Sequence, residues 1–158
     1  MERVNFTLKS KGWMDSKGTN INPDIFQIFL AQDILGRKKG VQKEEFKKGI
    51  QYLKDSIKNK IPVMVGVDNH PGSPNADKTT DHFMVIVGMG NDSVGKYFLF
   101  HDNAMGNKNV GASNENRLYC KCKEYKLEGV ADKRNTYFSS DAGYKKYTVS
   151  QIRKSKRK

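Results

Sequence analysis

The chain has 158 residues, of which 36% are hydrophobic and 29% charged, the size of one domain that buries its own core without staples. No apolar run approaches the roughly 20 residues of a membrane helix, and Met1 to Ser10 holds charges but no apolar block, so neither a membrane span nor a signal peptide is read. The net charge of +12 suits a solvated basic surface or an acidic partner such as nucleic acid, a cell-wall polymer or an anionic membrane. We read one domain over residues 1–152 and a basic disordered tail over 153–158, Arg153-Lys154-Ser155-Lys156-Arg157-Lys158. The compartment is left open, between bacterial cytoplasm and export as part of a larger protein.

In chain order, Met1 to Gly12 reads as a helix, with Val4 and Leu8 one turn apart and Gly12 as a stop. Trp13 follows in a loop. A second helix is expected from Asn22 as cap, with Pro23 at the first helical position, Asp24 in the first turn and an apolar face of Ile25, Phe26, Phe29 and Leu30, ending near Gly36. A third runs from about Gln42 to Lys58, with Phe46, Ile50, Leu53 and Ile57 on one stripe and Lys and Glu on the other.

Strands take over after that. Pro62 to Val67 reads as a short buried strand, and Asp68 to Thr80, with Pro71, Gly72 and Pro74, as a long surface loop. Two stretches of strand length, Asp81 to Gly88 and Tyr97 to Asn103, are joined by Met89 to Lys96, whose two glycines and Asn91-Asp92 pair mark a hairpin. A loop rich in Gly and Asn, Ala104 to Asn116, leads to a strand over Arg117 to Cys122 with a partner near Tyr125 to Leu127. Lys146 to Arg153 alternates like a closing strand, with Tyr147 and Val149 on one face. Helices first and strands after suggest an α+β domain, N-terminal helices packed on an antiparallel sheet.

The chemistry gathers at the central hairpin. His82 opens its first strand, and Asp102-Asn103 ends its second, so both fall at one end of the sheet. A carboxylate or amide there holds an imidazole in the tautomer that accepts a proton, which is the base-and-orienter half of a nucleophilic triad. A zinc site drawn from Asp68, His70, His82, His101 and Asp102 is weakened because His101 and Asp102 are adjacent on a strand and point to opposite faces. We read no metal site and no cofactor. Cys120 and Cys122 lie one residue apart. A disulfide over so short a span reads as strained, and two reduced thiols on one strand face are expected instead.

The segment from Pro62 to Asn103 resembles the second half of a papain-like cysteine peptidase domain, closest to the bacteriocin-leader peptidase branch. The resemblance rests on His82-Phe83-Met84-Val85 and on Asp102-Asn103-Ala104. It implies a papain-like packing, with His82 as general base and Asp102 as its orienter. It also implies thiol-mediated hydrolysis of a peptide or amide bond, on a peptide or protein substrate. In that family the nucleophilic Cys opens the first helix, with a Gln upstream, and this chain carries neither. The expectation is therefore a fragment whose nucleophile lies upstream or on a partner chain, or an inactive relative. The alternative is a basic, non-catalytic module that binds an acidic polymer, nucleic acid or protein.

Overall fold

The computed structural model describes residues 6–8, 24–32, 38–68, 80, 82–103, 107–134 and 146–157. Its centre is a ring of six antiparallel strands: β5 (Val63–Asp68), β6 (His82–Asn91), β7 (Lys96–His101), β8 (Arg117–Lys121), β9 (Lys126–Val130) and β10 (Lys146–Arg153). Each pairs with the next, and β10 pairs with both β5 and β9, so the sheet closes into a barrel. The α+β arrangement of N-terminal helices on an antiparallel sheet, papain-like, is thus corrected to a closed β-barrel.

The N-terminal third is where helix was expected and strand is found. Phe6–Leu8 forms β1, which pairs with β11 (Ser155–Arg157). The supposed helix from Asn22 is instead β2 (Ile25–Gln27), paired with the second half of β10, and β3 (Phe29–Gln32), paired with β4 (Lys38–Val41). Ile25 and Gln27 are buried with Phe26 between them less so, the alternation of a strand. Ile28 bends the chain between the two strands, donating its N–H to Ser150 O and accepting from Gln42 N–H. The run Ile25 to Phe29 is β-branched and aromatic apart from Gln27, and such residues fit a strand as well as a helical stripe. Pairing with β10 decides between them. The expected cap, Asn22-Pro23, the loop at Trp13 and most of the first helix lie outside the described residues. The tail read as disordered from Arg153 onward is likewise corrected: Arg153 ends β10 and Ser155–Arg157 is paired strand.

The one long helix, α1 (Lys43–Lys58), matches its apolar stripe: Phe46, Gly49, Ile50, Leu53 and Ser56 are buried. It packs against β2, β5 and β6. Gly49 lets it approach closely, since a Cβ there would press on Ile152 and Phe26. The Phe46 ring meets Tyr125 edge-on at 5.9 Å between centroids. Leu53, Val63, Val65, Val67, Met84, Ile86, Phe100, Leu118, Leu127, Tyr147 and Ile152 share one core and are wholly inaccessible. Each such apolar side chain contributes about 1.5–3 kcal/mol relative to exposure.

The β6–β7 hairpin turns over Asp92 to Gly95, the latter with φ +146°. Asp92 Oδ1 accepts from the N–H groups of Val94 and Gly95, and Oδ2 accepts from the Tyr119 hydroxyl at 2.8 Å and Arg117 Nη1 at 2.6 Å. One carboxylate therefore shapes the turn and ties it to β8. These donors, the Tyr119 hydroxyl foremost, hold the Asp92 carboxyl at about 2, below its ordinary 3.8.

Cys120 and Cys122 are joined in a disulfide, with Cα atoms 5.1 Å apart. The expectation of free thiols on a continuous strand fails because β8 ends at Lys121 and a 3₁₀ turn, Cys122–Glu124, begins. On a flat strand the two Cα atoms would be about 6.6 Å apart. The turn shortens that separation into the middle of the disulfide range. Closing so small a loop constrains the unfolded chain by on the order of 1–2 kcal/mol, against about 3 for a 15-residue loop.

A carboxyl whose acidity is raised by folding stabilises the fold above its unfolded pKa, and that stabilisation is lost as pH falls through the folded value. Asp92→Asn should therefore be less stable than the parent at neutral pH, with the gap closing as pH drops from 3.8 towards about 2. Urea denaturation midpoints of both proteins across that window check this. A gap independent of pH would assign the effect to shape and not to charge.

Candidate functional site

One end of the barrel gathers the start of β6, the end of β7 and the start of β10. Met84 and Ile86 on β6 point into the core, so His82, two residues before Met84, shares their face. Asp102 follows Phe98 and Phe100 at the same two-residue interval, and its side chain is 1% exposed. The two residues read from the hairpin therefore meet inside the barrel mouth. His82 Nε2 and Asp102 Oδ1 are 2.8 Å apart.

A third member comes from the closing strand. The Tyr147 hydroxyl donates to Asp102 Oδ2 at 2.6 Å. Its ring lies 6.2 Å from the His82 ring and meets Phe100 edge-on at 5.6 Å. Both oxygens of one buried carboxylate are thus engaged by side chains from two other strands. In the tautomer that donates from Nε2 to an ionised Asp102, the ring's lone pair lies on Nδ1. An imidazole of that tautomer has the chemistry of a base at Nδ1, and a carboxylate placed behind it favours an imidazolium.

The backbone around Asp102 is fixed by a short cap. The single helical turn α2 (Lys108–Gly111) lies over this end, and Asp102 N–H donates to Gly111 O at 2.8 Å. Asn116, wholly buried, holds the cap in place. Its Nδ2 donates to the carbonyls of Val110 and Gly111, its Oδ1 accepts from Asp132 N–H, and its own carbonyl accepts from Phe100 N–H. Asp132 in turn pairs with Arg134, which holds its carboxyl well below the usual carboxylate range.

The other site residues of the sequence reading fall elsewhere. Asn103 is exposed in the turn after β7, outside the His82–Asp102 contact. His101 is exposed on the face opposite Asp102. Asp68 is half-buried at the end of β5, in register with Thr148. His70 and most of the loop Asp68 to Thr80 lie outside the described residues. Cys120 and Cys122 sit at the far end of β8 from the strand end beside Asp102, beyond reach of His82. Among the described residues no group of three or more His, Cys, Asp or Glu is arranged to hold a metal ion.

Two contributors were not singled out from the sequence. Tyr147 carried a signal, a phenol on the inward face of the closing strand beside Val149. Asn116 carried none, being one Asn among many in a loop rich in them. Compared with known proteins, the chain matches no family model, no curated protein and no solved structure.

Tyr147→Phe removes one donor from a buried carboxylate while keeping the ring. A buried acceptor losing its partner costs about 1–3 kcal/mol, and a charged one lies at the upper end. The expected loss of about 2–3 kcal/mol is read from urea denaturation at neutral pH. A change below about 0.5 kcal/mol would show that the hydroxyl does not hold Asp102.

Proposed function

We propose that this barrel end is the base-and-orienter half of a thiol hydrolase that cleaves peptide or amide bonds. The observation that carries the reading is the 2.8 Å contact of His82 Nε2 with Asp102 Oδ1, inside a carboxylate site that Tyr147 also holds. The reading keeps the chemistry of the resemblance at His82-Phe83-Met84-Val85 and Asp102-Asn103-Ala104 and sets aside its helix-and-sheet packing. The chain's two cysteines are bonded to each other at the other end of the barrel. The thiol therefore comes from a segment joined to these residues or from a partner chain.

In this reading Nδ1 of His82 takes the thiol proton, and the thiolate attacks the scissile carbonyl carbon. The imidazolium, stabilised by Asp102, returns the proton to the leaving amine as the acyl thioester forms. Water then attacks the thioester with Nδ1 again as base, which regenerates the thiol. Asp102 and Tyr147 keep the ring oriented throughout and stay out of the covalent steps.

A thiol-directed activity probe, applied to the natural gene product with its cellular partners, tests this. Labelling is expected at a cysteine other than Cys120 or Cys122 and should fall about 100-fold or more in His82→Ala, the scale of a general base. Equal labelling of parent and variant would sink the reading.

A second reading, a basic binding module, is favoured by the exposed lysines of α1, Lys47, Lys48, Lys54 and Lys58. It predicts affinity for a polyanion such as single-stranded DNA that falls steeply with salt and is indifferent to His82→Ala. Fluorescence anisotropy at two salt concentrations measures it. Binding that does not respond to salt would exclude it.

A further inference from the structure

The end of the barrel opposite His82 holds a different chemistry. Here the β6–β7 turn, the end of β8 and α1 enclose a groove of about 660 Å³. Both cysteines line it, with Tyr97 and the exposed Met89 as apolar surface and Lys54, Lys58 and Lys96 around them. Among the described residues no carboxylate lines this groove. Cys120 is half-buried against the core, whereas Cys122 is exposed at the start of the 3₁₀ turn.

We propose that the Cys120–Cys122 pair is a thiol–disulfide exchange site for acidic, cysteine-bearing peptides that lie in this lysine-rimmed groove. Three observations carry it. The bond spans a single residue, Lys121, between a strand and the turn that follows it, so it adds little constraint to the fold. Its outer residue, Cys122, is exposed, and exposed disulfides are the labile and catalytic ones. Among the described residues the charged side chains lining it are all lysines, which draw an anionic peptide and favour the thiolate released beside them.

A peptide thiolate attacks Sγ of Cys122, a new disulfide forms between peptide and Cys122, and the Cys120–Cys122 bond breaks to release Cys120 as thiolate. A second peptide cysteine then attacks the peptide sulfur of that mixed disulfide and releases Cys122. The peptide dithiol is oxidised by two electrons and the pair is reduced. The peptide's thiol protons pass to solvent, and the released thiolates take protons from it. A peptide with one cysteine stops at the mixed disulfide. The site is independent of the His82 reading, since it lies at the other barrel end and uses none of its residues.

The test uses the whole chain and two synthetic peptides, each with one cysteine, flanked by Glu in one and by Lys in the other. Each peptide's rate of mixed-disulfide formation is normalised to its own rate with hydroxyethyl disulfide, which removes intrinsic thiol reactivity. The reaction is quenched by alkylation and mapped by mass spectrometry. The expected result is an adduct at Cys122, formed about ten-fold or more faster with the acidic peptide, the scale of steering by a surface of one sign. That preference should collapse in added salt and in the double variant Lys54→Glu/Lys58→Glu, whose sites are exposed on α1 and leave the fold intact by circular dichroism. Equal normalised rates for the two peptides, an adduct confined to Cys120, or no opening of the disulfide by either peptide would each overturn the proposal.

Discussion

Closure of the barrel by β10 is the constraint on which the rest of this molecule depends. One strand has to satisfy both of its edges. One edge pairs with β5 over Thr148–Ile152, while the other is divided, Lys146–Thr148 with β9 and Gln151–Arg153 with β2. The register shifts between Val149 and Gln151, and Ser150 falls at the break. Its carbonyl accepts from Ile28 N–H, and its hydroxyl donates to Gly66 O. The bulge thus re-aims the strand where its partner changes, which is what bulges do at barrel rims. Without β10 the ring would expose the free edges of β5 and β9, with their unpaired backbone groups. These pairings join residues far apart in the chain, so the ring's order depends on contacts that no local segment supplies.

A closed ring of six strands is too narrow to be a channel, and its interior is filled by side chains. Met84, Ile86, Phe98, Phe100, Leu118 and Val149 occupy it, all nearly or wholly inaccessible. This separates the two ends. At one end the inward positions turn polar and hold His82, Asp102 and Tyr147. At the other, α1 and the β6–β7 turn border the groove that contains the disulfide. A small molecule does not pass between them, so whatever each end does is done independently, on one rigid body.

What was legible in the sequence was what had a long period or a local turn signal. Phe46, Ile50 and Leu53 recur at helical spacing over two turns, and α1 follows. The runs before and after Asn91-Asp92 alternate around glycines, and the hairpin follows, with His82 and Asp102 at one end of it. The N-terminal strands were not legible because they are three or four residues long. At that length period 2 and period 3.6 cannot be told apart, and Asn22-Pro23-Asp24 imitates a helix start. Barrel closure was not legible either, since nothing local marks Tyr147 as the register partner of Gly129. The disulfide escaped because its geometry depends on β8 ending at Lys121, inside the stretch read as strand.

The placement of Asp102 argues that its end of the barrel is kept for something other than stability. Burying a carboxylate costs several kcal/mol, and the hydrogen bonds of a well-paired one roughly offset that cost. An apolar residue in the row of Phe98 and Phe100 would fill the same place with no such debt. The partners that offset the cost come from separate strands: His82 from the first residue of β6, Tyr147 from β10. Gly129, the register partner of Tyr147 on β9, is also where β9 runs tight against β8, since a Cβ there would collide with the Arg117 carbonyl. The same strand that closes the barrel therefore orients the His82–Asp102 pair. A pair held this way is fixed by the whole ring and not by a loop, the rigidity that a precisely positioned polar site requires.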